Sequence, residues 1–461
     1  MLDGLEATEI KLSELERTRR IDSEFFLKEN LVIAKRISEL KSIPIAQAAS
    51  VSDGNHFEIS SRFQDKGIPY YRGQDVVSNF FIEQSDAICI DENTFWEPHL
   101  LRSHLKREDV LLSIVGTIGA VSLVSEDKPA TCSCKLAILR PNVINGSYLG
   151  AFLLSKYGSN QVKKFVRGAV QTGLILEDFD QIHIPLPSRN FSSRIQSIIR
   201  TAHKRSEQAR MSYSEAESLV LSQLGLKDLK LPEHNVDVKP FSQSFASTGR
   251  LDAEYYQPKY QSVLSILGRS GKRVGDVAGL ARERFNPRGL IAFDYIEIGN
   301  LAENGLAEAE RVPIEETPSR AQWIVRPNDV ITSTVRPIRR LSALIEQDQD
   351  GFVCSSGFAV LRPKRIDPEV LLVFLRTPII SEILDLHTTA SMYPAISTED
   401  LLKIPIVLPS AKLCSEIVRR VRSSRNENRE SKRLLQVAKH AVEIAIEQNE
   451  ATALEFIEAS G

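Results

Sequence analysis

Four stretches of this 461-residue chain carry residue types that could do chemistry, and each falls short of the chemistry it suggests. Gly268-Arg-Ser-Gly-Lys-Arg has the glycines and lysine of a phosphate-cradling loop. Its spacing is wrong for GxxxxGK[ST], and an arginine stands where the metal-binding hydroxyl belongs. Cys132 and Cys134 form a lone CxC. A structural zinc site takes four ligands, and no second Cys or His pair is near, so strand residues sharing one face are expected. Asn286-Pro287-Arg288 begins like the Asn/Asp-Pro-Pro-aromatic signature of a DNA methyltransferase but lacks the second proline and the ring. Asp109 and Asp329 each precede an apolar run, where an aspartate is more often a turn or cap group than a general base. There is no GxSxG and no HExxH, and the eight histidines show no ligand spacing. The chain reads as a binding protein and not an enzyme, with no catalytic residue, no metal site and no cofactor of its own.

The elements that must position a binding surface are written twice. Arg20-Ile-Asp-Ser-Glu-Phe-Phe returns as Arg250-Leu-Asp-Ala-Glu-Tyr-Tyr, and Asp109-Val-Leu-Leu-Ser-Ile-Val as Asp329-Val-Ile-Thr-Ser-Thr-Val. Leu136-Ala-Ile-Leu-Arg-Pro returns as Phe358-Ala-Val-Leu-Arg-Pro. The run of eleven from Asp178 to Ser188 returns from Asp400 to Ser410 with six positions identical. The period is far beyond the ~20–50 residues of a solenoid repeat, so this is a duplicated domain.

Composition sets wide bounds. The chain is long enough for two to four domains, and 42% hydrophobic with 26% charged residues is ordinary for a globular protein. Five cysteines, an odd number, do not suggest a disulfide framework. No apolar run approaches the ~18 residues of a membrane span. The acidic start Met1-Leu-Asp-Gly-Leu-Glu lacks a signal-peptide core, so a cytoplasmic location without membrane contact is expected. A net charge of −2 argues neither for nor against nucleic acid.

Each half has the same grammar. A helically spaced lead-in (from Asp22, and again from Asp252 to Leu267) precedes short β-type runs broken by Gly, Pro, Asn and Asp. In the first half these are Ile68 to Tyr71, Ala87 to Ile90, Val110 to Val115, Ala120 to Val124 and Leu136 to Leu139. In the second they start at Tyr295, Val330, Ala343 and Phe358. One helix is expected from Tyr148 to Lys164 and its counterpart from Pro368 to Leu386. A long helix closes each half, from about Phe191 to Leu224 and from about Leu413 to Gln448. Neither has an internal Gly or Pro, and Gly225 is a natural stop. At ~1.5 Å per residue each spans about 50 Å, and an apolar seam flanked by charge reads as a coiled-coil pair. The tail segment Ala453-Leu-Glu-Phe-Ile is expected to dock on the N-terminal region.

This order of parts resembles the DNA specificity subunit of type I restriction–modification systems. Gly67-Ile-Pro-Tyr-Tyr-Arg-Gly-Gln-Asp-Val looks like the family's early strand and turn. Asp109-Val-Leu-Leu-Ser-Ile-Val-Gly-Thr-Ile-Gly looks like its internal strand and glycine turn, and Gly168-Ala-Val-Gln-Thr-Gly-Leu like its exit loop. The second half departs from the pattern: Arg336-Pro-Ile-Arg replaces Gly116-Thr-Ile-Gly, and Ala390-Ser-Met-Tyr-Pro-Ala replaces Gly168-Ala-Val-Gln-Thr-Gly. The resemblance implies an α+β fold, duplicated with pseudo-two-fold symmetry. Two mixed β-rich target recognition domains in tandem would be separated by two long antiparallel coiled-coil helices. Residues 1–188 would be the first domain, 189–226 the first helix, 227–410 the connector and second domain, and 411–461 the second helix and tail. Each domain would read half of a bipartite double-stranded DNA site, the helices acting as a ruler for half-sites about one ~34–36 Å turn apart. The chain would direct methyltransferase subunits using S-adenosylmethionine, and restriction or motor subunits using ATP and Mg, all cofactors of those partners. Rival readings are a targeting subunit of another defence enzyme and a coiled-coil adaptor that binds no DNA.

Direct readout needs Arg, Lys, Asn, Gln, Ser or Thr on loops that reach base edges. In the first half the residues so placed are Asn55, His56 and Arg62, then Arg72 and Gln74, then Thr117, then Arg167, Gln171 and Thr172. In the second they are Arg282, Arg284, Asn286 and Arg288, then Arg336, Arg339 and Arg340, then Ser391 and Tyr393. Arg62, Arg72, Arg336 and Arg339 stand foremost, and about half the set is expected to be bystanders or phosphate contacts. Tyr70 and Tyr71 are expected to pack. Arg419, Arg420, Arg422, Arg425, Arg429, Lys432 and Arg433, interspersed with glutamates, read as a solvated helix face or as a docking or phosphate surface.

Overall fold

In the computed structural model the repeated phrases fall on equivalent strands of two equivalent sheets. The structure describes residues 20, 22–77, 80–82, 87–168, 172–227, 229, 232, 234, 236–301, 304–389 and 392–460. They form two units, residues 1–205 with 429–461, and residues 206–428.

In the first unit the strands are β1 (Ser42–Pro44), β2 (Ala49–Asp53), β3 (Ile68–Tyr71), β4 (Ile88–Ile90), β5 (Val110–Ser113), β6 (Val121–Leu123), β7 (Thr131–Cys132), β8 (Leu136–Pro141) and β9 (His183–Pro185). One sheet has the order β2-β8-β5-β6, antiparallel throughout. A second has the order β4-β3-β7, with β3 and β7 parallel. β1 and β9 pair alone, and their prolines sit on this two-stranded ribbon where fewer ladder bonds are lost. All four residues of β5 are buried, which is why it reads as an unbroken apolar run.

In the second unit the strands are β10 (Ala278–Leu280), β11 (Ala292–Ile296), β12 (Glu310–Pro313), β13 (Ala321–Ile324), β14 (Val330–Ser333), β15 (Ser342–Leu344), β16 (Val353–Ser355) and β17 (Phe358–Pro363). The antiparallel sheet β10-β17-β14-β15 repeats the first unit's order position for position. The other sheet, β12-β11-β16-β13, keeps the parallel pair as β11 and β16.

The repeated sequence phrases are repeated because they hold each other. Asp109, at the head of β5, is buried. It accepts Arg140 Nε (2.8 Å) and Nη2 (2.7 Å), and the backbone N–H of Lys106 (2.7 Å). Asp329 does the same with Arg362 Nε and Nη2 (both 2.8 Å) and the N–H of Arg326 (2.9 Å). The arginine is the one in each Leu-Arg-Pro phrase, so the phrase beginning with Asp and the phrase ending in Arg-Pro form one clamp across neighbouring strands. Such bidentate, charge-assisted pairs are roughly twice as strong as neutral hydrogen bonds. A second pair repeats too. Arg20 forks onto Asp22 and lies over Phe25, as Arg250 forks onto Asp252 and lies over Tyr255.

The helices differ from expectation in their breaks. The lead-in is a 3-10 turn, Ser23–Phe26, followed by a helix over Lys28–Ser38. In the second unit a turn at Glu254–Tyr256 precedes the helix Pro258–Gly268. The helix expected from Tyr148 to Lys164 is two, Gly146–Leu154 and Lys156–Phe165. Ser155 leaves helical conformation and its hydroxyl caps Gly158 N–H. The counterpart is likewise two, Pro368–Arg376 and Pro378–Leu386, because Pro378 forces Thr377 out of the helical region.

The long helices are Arg189–Leu224 and Ala411–Glu447. In the first unit Ile195, Ile199 and Ala202 share a core with Ala438, Ala441 and Val442, and Ser431 Oγ donates to Ala202 O at 2.8 Å. In the second, Tyr213, Ala216 and Val220 share a core with Ile417 and Val421, and Arg420 pairs with Glu215. Rising numbers on one helix meet falling numbers on the other, so each unit holds an antiparallel helix pair. Alanine on the seam allows close approach. The tail forms a helix, Glu450–Ala459, whose Ala453 and Ile457 are buried in the first unit's core. Arg36, on the helix Lys28–Ser38, donates to the carbonyls of Ile446 and Glu447 at the end of the second long helix (both 2.8 Å), and Ile33 and Ile37 of the same helix belong to the core that holds Ala453 and Ile457.

Candidate nucleic-acid interface

In the first unit the sheets leave an open cleft of about 740 Å³ at the end of the parallel pair. Its walls are the turn after β2, the residues after β3, the turn after β5 and the β7–β8 turn. These elements bring Asn55, His56, Arg72, Gln74 and Thr117 together, five residues scattered over more than sixty positions of sequence. Gln74 and Thr117 are exposed. Arg72 is part-buried, with Asp75 Oδ2 accepting its backbone N–H (2.7 Å) and approaching its Nε (3.4 Å), which leaves the rest of the guanidinium toward solvent. His56 is exposed and its Nε2 meets Asp53 Oδ2 at 2.6 Å.

Asn55 has a different task. It is buried, its Oδ1 accepting Phe57 N–H (3.0 Å) and its Nδ2 donating to Phe57 O (2.8 Å), so its amide is spent closing the turn. Arg62 lies outside the cleft and pairs with Glu97. Arg167 is tied to the buried carboxylate of Asp178. Thr172 is exposed, and Gln171 lies outside the described residues. The cleft also contains Lys135, exposed in the β7–β8 turn, and Ser133. Sequence reasoning missed both. A lysine in a tight turn carries no periodic signal, and the matching position of the second unit is Gly357.

In the second unit Arg282, Arg284, Asn286 and Arg288 are all exposed along the segment joining β10 to β11. Asn286 Oδ1 accepts the N–H of Arg288 (3.2 Å). Arg336 and Arg339 are exposed on the turn after β14. Arg340 turns inward, to Glu217 (2.5 Å) and the carbonyl of Arg376. Tyr393 is exposed beside Arg336, and Ser391 lies outside the described residues.

Tyr70 and Tyr71 are buried, as expected of packing residues. Cys132 is buried in β7, and burial pushes its thiol far above the usual range, which disfavours the thiolate that a metal needs. Among the described residues no group of three or more His, Cys, Asp or Glu is placed to hold a metal ion. No described helix is long and apolar enough to cross a membrane. The basic run on the second long helix is largely engaged within the fold. Arg419 and Arg420 meet Glu416, Arg422 meets Glu369, Arg425 is buried against Glu346 and the carbonyl of Leu344, and Arg433 meets Glu430.

These features define a class: a tandem-duplicated α+β protein with paired long helices and polar, partly basic loops beyond its sheets. No protein-family model matches the sequence. The chain is similar to the type I restriction enzyme HindI specificity subunit of Haemophilus influenzae, 20% identical over 149 residues, which are 32% of this chain and 32% of that protein. The match thus spans about a third of the relative's length. Among solved structures the chain is similar to the S subunit of a type I restriction-modification system from M. genitalium, with a TM-score of 0.38 and 11% identity over 90% of this chain and 95% of that one. It is also similar to the HsdS subunit from Thermoanaerobacter tengcongensis, with a TM-score of 0.29 and 14% identity over 88% of this chain and 96% of that one.

Proposed function

We propose that the chain is a DNA specificity subunit that recognises a bipartite double-stranded site, one half-site per β-rich domain. The observation that carries this reading is a contrast between framework and loops. The buried clamps Asp109–Arg140 and Asp329–Arg362 are the same in both units. The positions beyond them differ: Arg72 follows β3 where Glu297 follows β11, and Gly116 lies in the turn after β5 where Arg336 lies in the turn after β14. Two similar frames carrying different polar loops suit two modules that read different sequences, since phosphate contacts position a protein and base-edge contacts specify. The long helices would set the distance between half-sites. The chain would do no chemistry. Methyltransferase subunits would supply S-adenosylmethionine chemistry, and restriction or motor subunits would use ATP and Mg.

The test is a map of methylated adenines in the host genome with and without this gene. The expected result is that methylation vanishes from one bipartite motif and persists elsewhere. A map that does not change would contradict the directing role.

A further inference from the structure

The turn after β5 and the turn after β14 start alike, and the second is one residue longer. Ser113 N donates to Ala120 O (2.9 Å) as Ser333 N donates to Leu341 O (2.8 Å). Each serine hydroxyl also donates to the carbonyl two residues on, Val115 or Val335. Counted forward from the serines, Arg336 stands where the first unit has Gly116; counted back from the next strand, Arg340, and not the Arg339 of the sequence match, stands where it has Gly119. Both glycines are left-handed, at φ +83° and +89°. So are both arginines, at +49° and +59°. Glycine adopts this region freely, whereas a side chain there is strained. For Arg340 the fold gives a return, through Glu217 and the Arg376 carbonyl. Arg336 has no such return: it is exposed and no described carboxylate pairs with it.

Instead, the neighbouring loop holds Arg336 in a defined pose. Its backbone N–H donates to Pro394 O (2.8 Å). Its guanidinium lies over the Tyr393 ring at 5.5 Å from the centroid, and Nη2 reaches Met392 O at 3.4 Å. Tyr393 is itself 67% exposed, so the pair projects from the domain. Strain kept in a place where glycine would serve the fold better marks a functional position. A planar guanidinium laid on an aromatic face is pre-oriented for a planar, bidentate partner.

We propose that Arg336, supported by Tyr393, reads a guanine edge through O6 and N7 in the half-site of the second domain. This rests on the DNA-reading function proposed above. The test uses the full chain and the duplex it selects from a random pool. Arg336→Gly should keep or raise the unfolding midpoint, because glycine relieves the left-handed strain. The same change should weaken binding of the selected duplex about tenfold to a hundredfold and abolish the G·C preference at one position of one half-site. Tyr393→Phe should retain that preference and Tyr393→Ala should weaken it. Equal losses on selected and scrambled duplexes, with a salt slope smaller by about 1, would make Arg336 a phosphate contact and overturn the proposal. Unchanged binding would overturn it as well while leaving the DNA-reading function standing. If the unaltered chain selects no sequence at all, that function fails and the proposal falls with it.

Discussion

Asp109→Ala is expected to destabilise the first unit by about 3 kcal/mol, at the lower end of what breaking a buried ion pair costs. The carboxylate is 1% exposed and takes three hydrogen bonds, so its loss removes the acceptor shared by the Arg140 guanidinium and the Lys106 N–H. The Arg140 side chain is 37% exposed and can recover some hydration, which keeps the effect from being larger. Asp329→Ala should act on the second unit in the same way and slightly less, because Arg362 is 46% exposed. By contrast Arg62→Ala removes a partly exposed pair with Glu97 and should change stability by under about 1 kcal/mol. Urea denaturation gives the magnitudes, and hydrogen exchange gives the location. Faster exchange should appear on β5 and β8 for Asp109→Ala and on β14 and β17 for Asp329→Ala. Effects of a surface pair's size at Asp109 would show that the clamp does not hold the sheet.

Exchange of residues 46–187 for the same region of a relative is expected to replace one half-site and leave the other untouched. The segment contains both of the first unit's larger sheets and the whole cleft. It leaves the long helices and all of residues 206–428 in place. Each mismatched base pair typically costs about 1–3 kcal/mol, roughly additively, so a half-site of several base pairs should shift preference on the order of a thousandfold. Selection of bound duplexes by the chimera reads the outcome. Change in both half-sites would mean that the two domains do not read independently.

Much of this architecture could be read from the sequence because burial and pairing leave marks. The recurrence of Asp109 with Arg140 and Asp329 with Arg362 is visible as repeated phrases, since a buried carboxylate tolerates few partners. The long helices show as apolar periodicity without Gly or Pro. The helix break at Thr377 is marked in the sequence by Pro378, whereas the break at Ser155 has no proline beside it and was less legible. Strand order was not legible at all: the parallel pairing of β3 with β7 joins residues about sixty positions apart, and no local signal encodes it. At the candidate interface, residue type did not show that polar groups of Asn55, Arg167 and Arg340 are engaged within the fold by a turn, by Asp178 and by Glu217. The sequence already sets Arg336 opposite Gly116, but a glycine can take either sign of φ, so only the structure shows that Arg336 is left-handed.

The central claim is that each β-rich domain of one chain reads its own half of one DNA site. The most direct test is to let the purified full-length chain select from a pool of random duplexes and to sequence what it retains. Two unlike half-sites separated by a spacer of fixed length are expected. A single half-site, two half-sites at variable spacing, or no enrichment would contradict it.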